Sequence, residues 1–199
     1  MSEIIFKINS VTKIVITLEE ALEHAHCCTE CSVTFSYNNI AFDLSIHSLR
    51  ECMQDFKYAA EKLLKNELQL HKSITEDIGF LLNEELQFKS ELFQVKRGGT
   101  SLWVGYDYLL VMGYHTVVWL YNKSNGTIIC EVSPKFPFSY RNLAKDENYV
   151  PYKKWIKKYE PYCIIEASLE LVREWVPLAE YILEQIQKNI DMMQKKMNF

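Results

Sequence analysis

The sequence lacks the short motifs by which many enzymes are recognised. No glycine-flanked nucleophilic serine, no glycine-rich phosphate loop and no ladder of paired metal ligands occurs along its 199 residues. It also lacks an uninterrupted apolar run of about 18 residues, so no transmembrane helix is predicted. Internal repeats and low-complexity tracts are missing as well. The sequence therefore does not indicate a reaction.

A surplus of basic residues is also missing, because 22 Lys and Arg stand against 26 Asp and Glu. Binding to a nucleic-acid backbone requires an excess of cations on one face, so nucleic acid is not expected as the main partner. The first twenty residues have no basic segment followed by a long apolar run, so they predict a strand and not a signal peptide. The six cysteines are then expected to be reduced thiols in a cytoplasmic protein.

The composition does provide enough apolar material for a full core. With 48% hydrophobic and 13% aromatic residues, the chain predicts a single α+β domain over residues 1–199. We expect one antiparallel sheet of about six to eight strands, packed by two long amphipathic helices. The first helix is predicted over residues 49–66, and the second is a long C-terminal helix within residues 165–199.

Strands and turns follow from alternating apolar residues and from turn residues. Alternation predicts strands at residues 4–8 and 13–17 and along both sides of Asn38-Asn39, where a tight hairpin is expected. A capping box from Thr17 to Glu20 predicts a short helix that ends near His26. The signal between residues 67 and 97 is mixed, and the alternation from 86 to 95 favours a strand.

Residues 101–133, SLWVGYDYLLVMGYHTVVWLYNKSNGTIICEVS, form what we call the aromatic ribbon, with three strand-like runs and a hairpin turn that ends at Asn125-Gly126. Tyr and Trp are enriched at the anchor points of protein interfaces. The ribbon therefore predicts a partner-binding surface, unless the chain covers both of its faces. Its residues are Trp103, Tyr106, Asp107, Trp119, Tyr121 and Glu131.

Acidic residues are expected to surround this predicted surface, which suits a basic protein partner. They are Asp107, Glu131, Asp146, Glu147 and Glu160. Asp107 and Glu131 also raise an alternative, because two carboxylates on adjacent strands could perform hydrolytic acid–base chemistry. Charged strand residues more often face solvent or pair with cations, so the binding function is favoured.

The segment HAHCCTEC, from His24 to Cys31, is the densest group of potential metal ligands. Cys28 and Cys31 have the spacing with which two thiolates reach one zinc ion, and His24 or His26 could complete the site. No second pair of Cys or His follows, and cysteines between a helix and a strand are often buried. Packing is therefore favoured and no cofactor is predicted, while a metal-binding enzyme is the alternative.

The C-terminal helix carries an apolar seam that begins at Leu169 and recurs at alternating steps of three and four residues. Trp175 and Ile182 widen this seam, which favours docking on the protein's own sheet. Residues beyond about Asn189 are expected to extend from the body. A homodimer formed through this helix is the alternative.

The stretch WLYNKSNGTIICEVSPKFP, followed by a loop rich in Tyr and Pro and by a helix that contains Trp, resembles small bacterial immunity proteins of toxin–immunity systems. The resemblance covers about residues 101–180 and rests on this pattern. It implies a cytosolic inhibitor that neutralises a partner toxin by direct binding and has no catalytic residues of its own. No binding residue can be carried over, because these families diverge widely.

Overall fold

The computed structural model describes residues 1–88, 94–97, 100–137 and 149–197. By its contacts the chain divides into two compact units. The first unit combines Met1–Glu67 with Glu166–Phe199, and the second is Leu68–Ile165. None of the helices in these ranges is both long enough and apolar enough to cross a bilayer.

The described residues form ten β-strands and four α-helices. The strands are β1 (Ser2–Lys7), β2 (Thr12–Leu18), β3 (Glu30–Tyr37), β4 (Ile40–Ser48), β5 (Gln94–Arg97), β6 (Thr100–Trp103), β7 (Leu109–Met112), β8 (Thr116–Asn122), β9 (Ile128–Pro134) and β10 (Cys163–Glu166). The helices are α1 (Leu49–Leu64), α2 (Ile78–Phe88), α3 (Tyr152–Trp155) and α4 (Leu169–Met197). Three short 3-10 turns lie at Leu22–His24, Val104–Tyr108 and Ile156–Lys158.

The first unit is built on an antiparallel sheet in the order β1-β2-β3-β4. Alternate residues point to one face, and those on the inner face are buried because α1 and α4 cover them. The rings of Phe6, Phe56 and Trp175 meet at the centre of this core, with centroids 4.4 to 5.5 Å apart. The indole N–H of Trp175 also donates to the carbonyl of Lys7 at 2.8 Å, which attaches α4 to β1.

The predicted hairpin at Asn38-Asn39 and the predicted helix after it are confirmed. Both asparagines have positive φ, 47° and 64°, as a two-residue hairpin turn requires. The amide of Glu51 donates to the hydroxyl of Ser48, which caps α1. The helix ends at Leu64, and Asn66 then takes a left-handed conformation with φ of 58°.

The C-terminal helix docks within its own unit, as predicted, but on a shifted stripe. Trp175 and Ile182 lie at the centre of the buried stripe, while Leu169 and Met193 at the predicted seam are 45% and 44% exposed. The buried positions are Val172, Trp175, Ala179, Ile182, Ile186 and Asn189. Residues 191–196 are all exposed, in agreement with the expected extension beyond Asn189.

The second unit contains a sheet in the order β10-β9-β8-β7 and the separate hairpin β5-β6. All seven residues of β8 are buried, so this strand is covered on both faces. The predicted turn at Asn125-Gly126 is present between β8 and β9, where Gly126 has φ of 85°. Helix α2 packs on β9.

The α+β class is confirmed, but the prediction of one sheet with six to eight strands is wrong. The strands form two four-stranded sheets and one hairpin, and the two long helices belong to the first unit. In the first sheet each strand pairs with its neighbour in sequence, and α1 then leads the chain away from the edge strand β4. Later strands therefore pair among themselves.

Two predictions of local structure are also wrong. Residues 86–88 belong to α2, although the alternation from 86 to 95 favoured a strand there; residues 94–97 form β5, and residues 89–93 of the predicted strand lie outside the described residues. Thr17 and Leu18 belong to β2, and Leu18 is fully buried and pairs with Ser2, so Thr17 cannot cap a helix. Only the 3-10 turn Leu22–His24 follows it. Strand β10 was not predicted.

The aromatic cluster predicts a large loss of stability on removal of the α4 indole. We expect Trp175→Ala to lower the free energy of unfolding by about 3 to 5 kcal/mol, because it leaves a cavity between two phenylalanine rings. Urea unfolding followed by circular dichroism measures this loss. Tyr181→Ala on the same helix is the control, since that ring is 55% exposed, and it should change stability by only about 0.5 kcal/mol. Equal losses of stability in both variants would contradict the assignment of Trp175 to the core.

Candidate functional site

The aromatic ribbon forms part of the core of the second unit. Trp103, Trp119, Tyr121 and Glu131 are between 0% and 7% exposed, so the expectation that these side chains face solvent is wrong. The indoles of Trp103 and Trp119 pack edge to face, with centroids 6.1 Å apart. The physical reason is that β8 is an inner strand covered on both faces, which leaves its rings no open side.

Tyr106 and Asp107 do not lie on a strand but in the 3-10 turn Val104–Tyr108, where both are half-buried. The ring of Tyr106 packs on Trp103, with centroids 5.6 Å apart. Gly105 permits this turn, because a Cβ there would lie 2.3 Å from the Trp103 ring. Of the other acidic residues, Glu160 is exposed, and Asp146 and Glu147 lie outside the described residues.

The predicted acid pair is not formed by two adjacent strands. Glu131 lies on β9 opposite Trp119 of β8, whereas Asp107 belongs to the preceding turn. Burial raises the pKa of Glu131, and the charge of Asp77 adds to this increase. Asp107 and Glu131 therefore do not occupy the paired strand positions on which the hydrolase alternative depended.

The Glu131 carboxylate instead caps the N-terminus of α2. It accepts hydrogen bonds from the amide of Gly79 at 2.9 Å and the amide of Ile78 at 3.4 Å. The hydroxyl of Ser133 donates to it at 2.7 Å. The first amides of a helix have no partner within the helix, so an acidic side chain from a neighbouring strand satisfies them. Burial nevertheless raises the pKa of Glu131, more than these donors lower it.

Two further residues fit α2 closely against β9. A Cβ at Gly79 would lie 2.2 Å from the Ser133 side chain and 2.4 Å from the hydroxyl of Tyr159, so only glycine permits this approach. The amide group of Asn83 donates to the carbonyls of Gly79 and Pro134, and its oxygen accepts from the amide of Phe136. These buried polar groups hold a helix on a sheet, which is a structural role.

The two cysteines of the predicted chelate, Cys28 and Cys31, differ in burial. The side chain of Cys31 points from β3 into the core, 2% exposed, with its sulfur 4.0 Å from that of Cys52. The hydrogen bond with Cys31 and burial both raise the pKa of Cys52. Cys28 is exposed. Among the described residues, the group of potential ligands that comes together in this segment does not include Cys31, so the structure does not favour the predicted pair of Cys28 and Cys31.

A different set of potential ligands comes together in the same segment. One ligand atom each from His26, Cys27 and Cys28 lies within 4.8 Å of the other two. The sulfurs of the two adjacent cysteines are 3.6 Å apart, and the amide of Cys28 donates to Nδ1 of His26 at 3.2 Å. Sequence spacing did not predict this set, because adjacent cysteines are not a recognised chelating motif.

A cavity of about 380 Å³ lies beside this cluster. His26 and Cys28 line one side of it, and Ile46 lies in its wall. Three carboxylates, Glu19, Glu20 and Glu30, also line it. Cys31 lines it as well. The cavity is therefore acidic and is lined by two cysteines.

The same sheet has a second face that neither α1 nor α4 covers, which we call the open face. Three rows of paired residues cross it, and they read Glu3, Thr17, Ser32 and Ile46; Ile5, Val15, Thr34 and Asp43; Lys7, Lys13, Ser36 and Ala41. All twelve are exposed or half-buried. Ile46 is 67% exposed and Ile5 37%. The first row borders the acidic cavity, because three of its residues, Thr17, Ser32 and Ile46, also line that cavity.

Comparison with known proteins identifies no relative, since no family model, no curated protein and no solved structure matches this chain.

The close packing of α2 on β9 predicts that Gly79 does not tolerate a side chain. We expect Gly79→Ala to lower the free energy of unfolding by about 2 kcal/mol or more, because the methyl group overlaps atoms of β9. In an exposed helix the same substitution is stabilising by about 1 kcal/mol. Urea unfolding decides between the destabilising overlap and the stabilising helix propensity. A variant that is more stable than the native protein would contradict the close packing of α2 on β9.

The pKa of Glu131 predicts a pH dependence with a defined sign. Burial raises the pKa of Glu131 in the folded state. Between the unfolded pKa of about 4.3 and this higher folded pKa, Glu131 binds more protons in the folded protein than in the unfolded one. The stability contributed by this group is therefore present below that pH and falls as pH rises through the folded pKa. The measurement is urea unfolding of the native protein and Glu131→Gln at about pH 4 and about pH 7.

We expect the native protein to lose stability relative to Glu131→Gln as pH rises, because glutamine does not ionise. A relative gain with rising pH would show that the three hydrogen bonds to the carboxylate outweigh its burial. Glu160→Gln, at an exposed position, is the control.

Proposed function

We propose that this chain is a cytosolic, non-enzymatic protein-binding module, an inhibitor of the immunity type that neutralises a basic toxin by direct contact. The observation that carries the proposal is the open face of the β1–β4 sheet. It replaces the aromatic ribbon as the binding surface, because Trp103, Trp119, Tyr121 and Glu131 of the ribbon are buried. The resemblance of the sequence to immunity proteins supports a toxin as the partner.

The open face has the properties of a docking surface. An isoleucine is exposed on each of its edge strands, Ile5 on β1 and Ile46 on β4. Between them lie the β-branched side chains of Val15, Thr17 and Thr34. Flat apolar areas with a polar margin are typical of interaction sites.

The charges at the first-row end of this face favour a basic partner, whereas the third row carries Lys7 and Lys13. Glu3, Glu19, Glu20 and Glu30 lie on or beside its first row, around the acidic cavity. In the described part of the chain, none of these four carboxylates has a basic side chain within 4.0 Å. Unpaired carboxylates of this kind attract a cationic surface and speed the encounter with it.

The alternative of a small hydrolase that uses Asp107 and Glu131 has less support. Glu131 is 1% exposed and its carboxylate already accepts three hydrogen bonds. Asp107 lies in a turn and not on the neighbouring strand. A buried carboxylate that caps a helix is not placed to act on a substrate.

The test uses the purified product of the gene next to the one that encodes this chain, titrated by calorimetry. We expect binding by the native protein and a loss of affinity of about 30-fold or more for Ile46→Arg, because a charge replaces an exposed apolar side chain within the contact. Ile40→Arg is the matched control, since Ile40 is 56% exposed on the same strand but pairs with Tyr37 away from the open face.

Two outcomes would contradict the proposal. If the neighbouring product does not bind at about 10 μM, the immunity-type assignment is wrong. If Ile46→Arg binds as tightly as the native protein, the open face is not the surface. Replacing Glu19 and Glu30 by lysine should mainly slow association and reduce its dependence on salt.

A further inference from the structure

Cys27 and Cys28 are placed differently from the other cysteines of the chain. Both are exposed, whereas Cys31, Cys52, Cys130 and Cys163 are buried. Free cysteine is among the most buried residue types, and a buried thiol behaves as a small hydrophobic group. Core packing therefore accounts for the four buried thiols and leaves the adjacent exposed pair without a structural role.

The backbone of this segment is attached on both sides. The carbonyl of Ala25, a fully buried residue, accepts from the side-chain amide of Asn189 on α4 at 2.8 Å. On the other side, the carbonyl of Thr29 accepts from the amide of Leu49 at the start of α1 at 2.9 Å. The two sulfurs are thus presented on a short segment between two fixed points.

His26 is oriented within the same segment. Its amide donates to the hydroxyl of Thr29 at 2.9 Å, and that hydroxyl donates to the carboxylate of Glu20 at 3.0 Å. The imidazole lies half-buried against Cys28, whose amide donates to Nδ1. These bonds place the imidazole of His26 next to the two sulfurs.

The spacing of the two sulfurs matches a shared metal ion. Two zinc–sulfur bonds of about 2.3 Å at a tetrahedral angle separate the sulfurs by about 3.8 Å. The observed separation is 3.6 Å. Little movement of the chain is therefore needed to bring both sulfurs to one ion.

We propose that His26, Cys27 and Cys28 form a surface site for a thiophilic metal ion, with two thiolates and one imidazole as ligands. Zn²⁺ is the ion that best fits this mixed set, since it accepts both sulfur and nitrogen ligands. Three protein ligands leave the fourth position of a tetrahedron to water or to a group from outside the chain. The nearby carboxylates of Glu19, Glu20 and Glu30 favour a cation electrostatically.

This site is independent of the proposed docking function, since it requires no partner protein. It also differs from the chelate expected from sequence, which used Cys31. The ligand set expected from sequence predicts that removal of the Cys31 thiol weakens zinc binding, whereas the set proposed here predicts no change. In the structure the sulfur of Cys31 is buried beside that of Cys52.

The test is a zinc titration of the reduced, full-length protein in competition with a chromogenic chelator. We expect about one Zn²⁺ per chain and a rise in melting temperature with zinc concentration. Cys27→Ser combined with Cys28→Ser should abolish both effects. His26→Gln should weaken binding about tenfold or more, while the control His24→Gln leaves it unchanged. Circular dichroism without metal verifies that each variant is folded.

Cys31→Ala distinguishes the two sets of ligands and should retain native affinity. Loss of zinc binding in folded Cys31→Ala would overturn the proposal, as would native affinity in the double serine variant. Unchanged affinity in His26→Gln would overturn the role of the imidazole. Mg²⁺ is the control ion, and if it competes with Zn²⁺ at equal concentration, the carboxylates and not the thiols hold the ion.

Discussion

The hydrogen bonds from the first amides of α2 to the carboxylate of Glu131 determine much of the second unit. They bring a helix onto β9 and require glycine at position 79, where any side chain would overlap Ser133. They also require the only charged side chain of β8 and β9 to point into the interior. Three donors replace part of the hydration of this carboxylate, but burial still raises its pKa.

This arrangement explains why the aromatic ribbon does not form a binding surface. Once a helix covers the sheet and β8 is enclosed on both faces, Trp103 and Trp119 can only pack on each other. Rings that anchor an interface and rings that fill a core have the same hydrophobicity. Their function depends on which side of the sheet is covered, and no local pattern records that.

The sheet of the first unit has a different arrangement, with one face covered and one uncovered. The covered face carries the cluster of Phe6, Phe56 and Trp175, which provides stability. The uncovered face and the acidic cavity beside it are therefore available for recognition. We place both proposals here, because the exposed isoleucines and the exposed thiols have no part in the core.

The sequence by itself determined the local elements. Positive φ at Asn38-Asn39, the Ser48 cap of α1 and the docking of the C-terminal helix through Trp175 and Ile182 follow from propensity and periodicity, which act over a few residues. Only the tertiary structure decided the division into two sheets and the burial of Glu131. The burial of Cys31 beside Cys52 was decided there too. These features depend on contacts between residues far apart in the chain, such as Gly79 with Glu131, which periodicity does not encode.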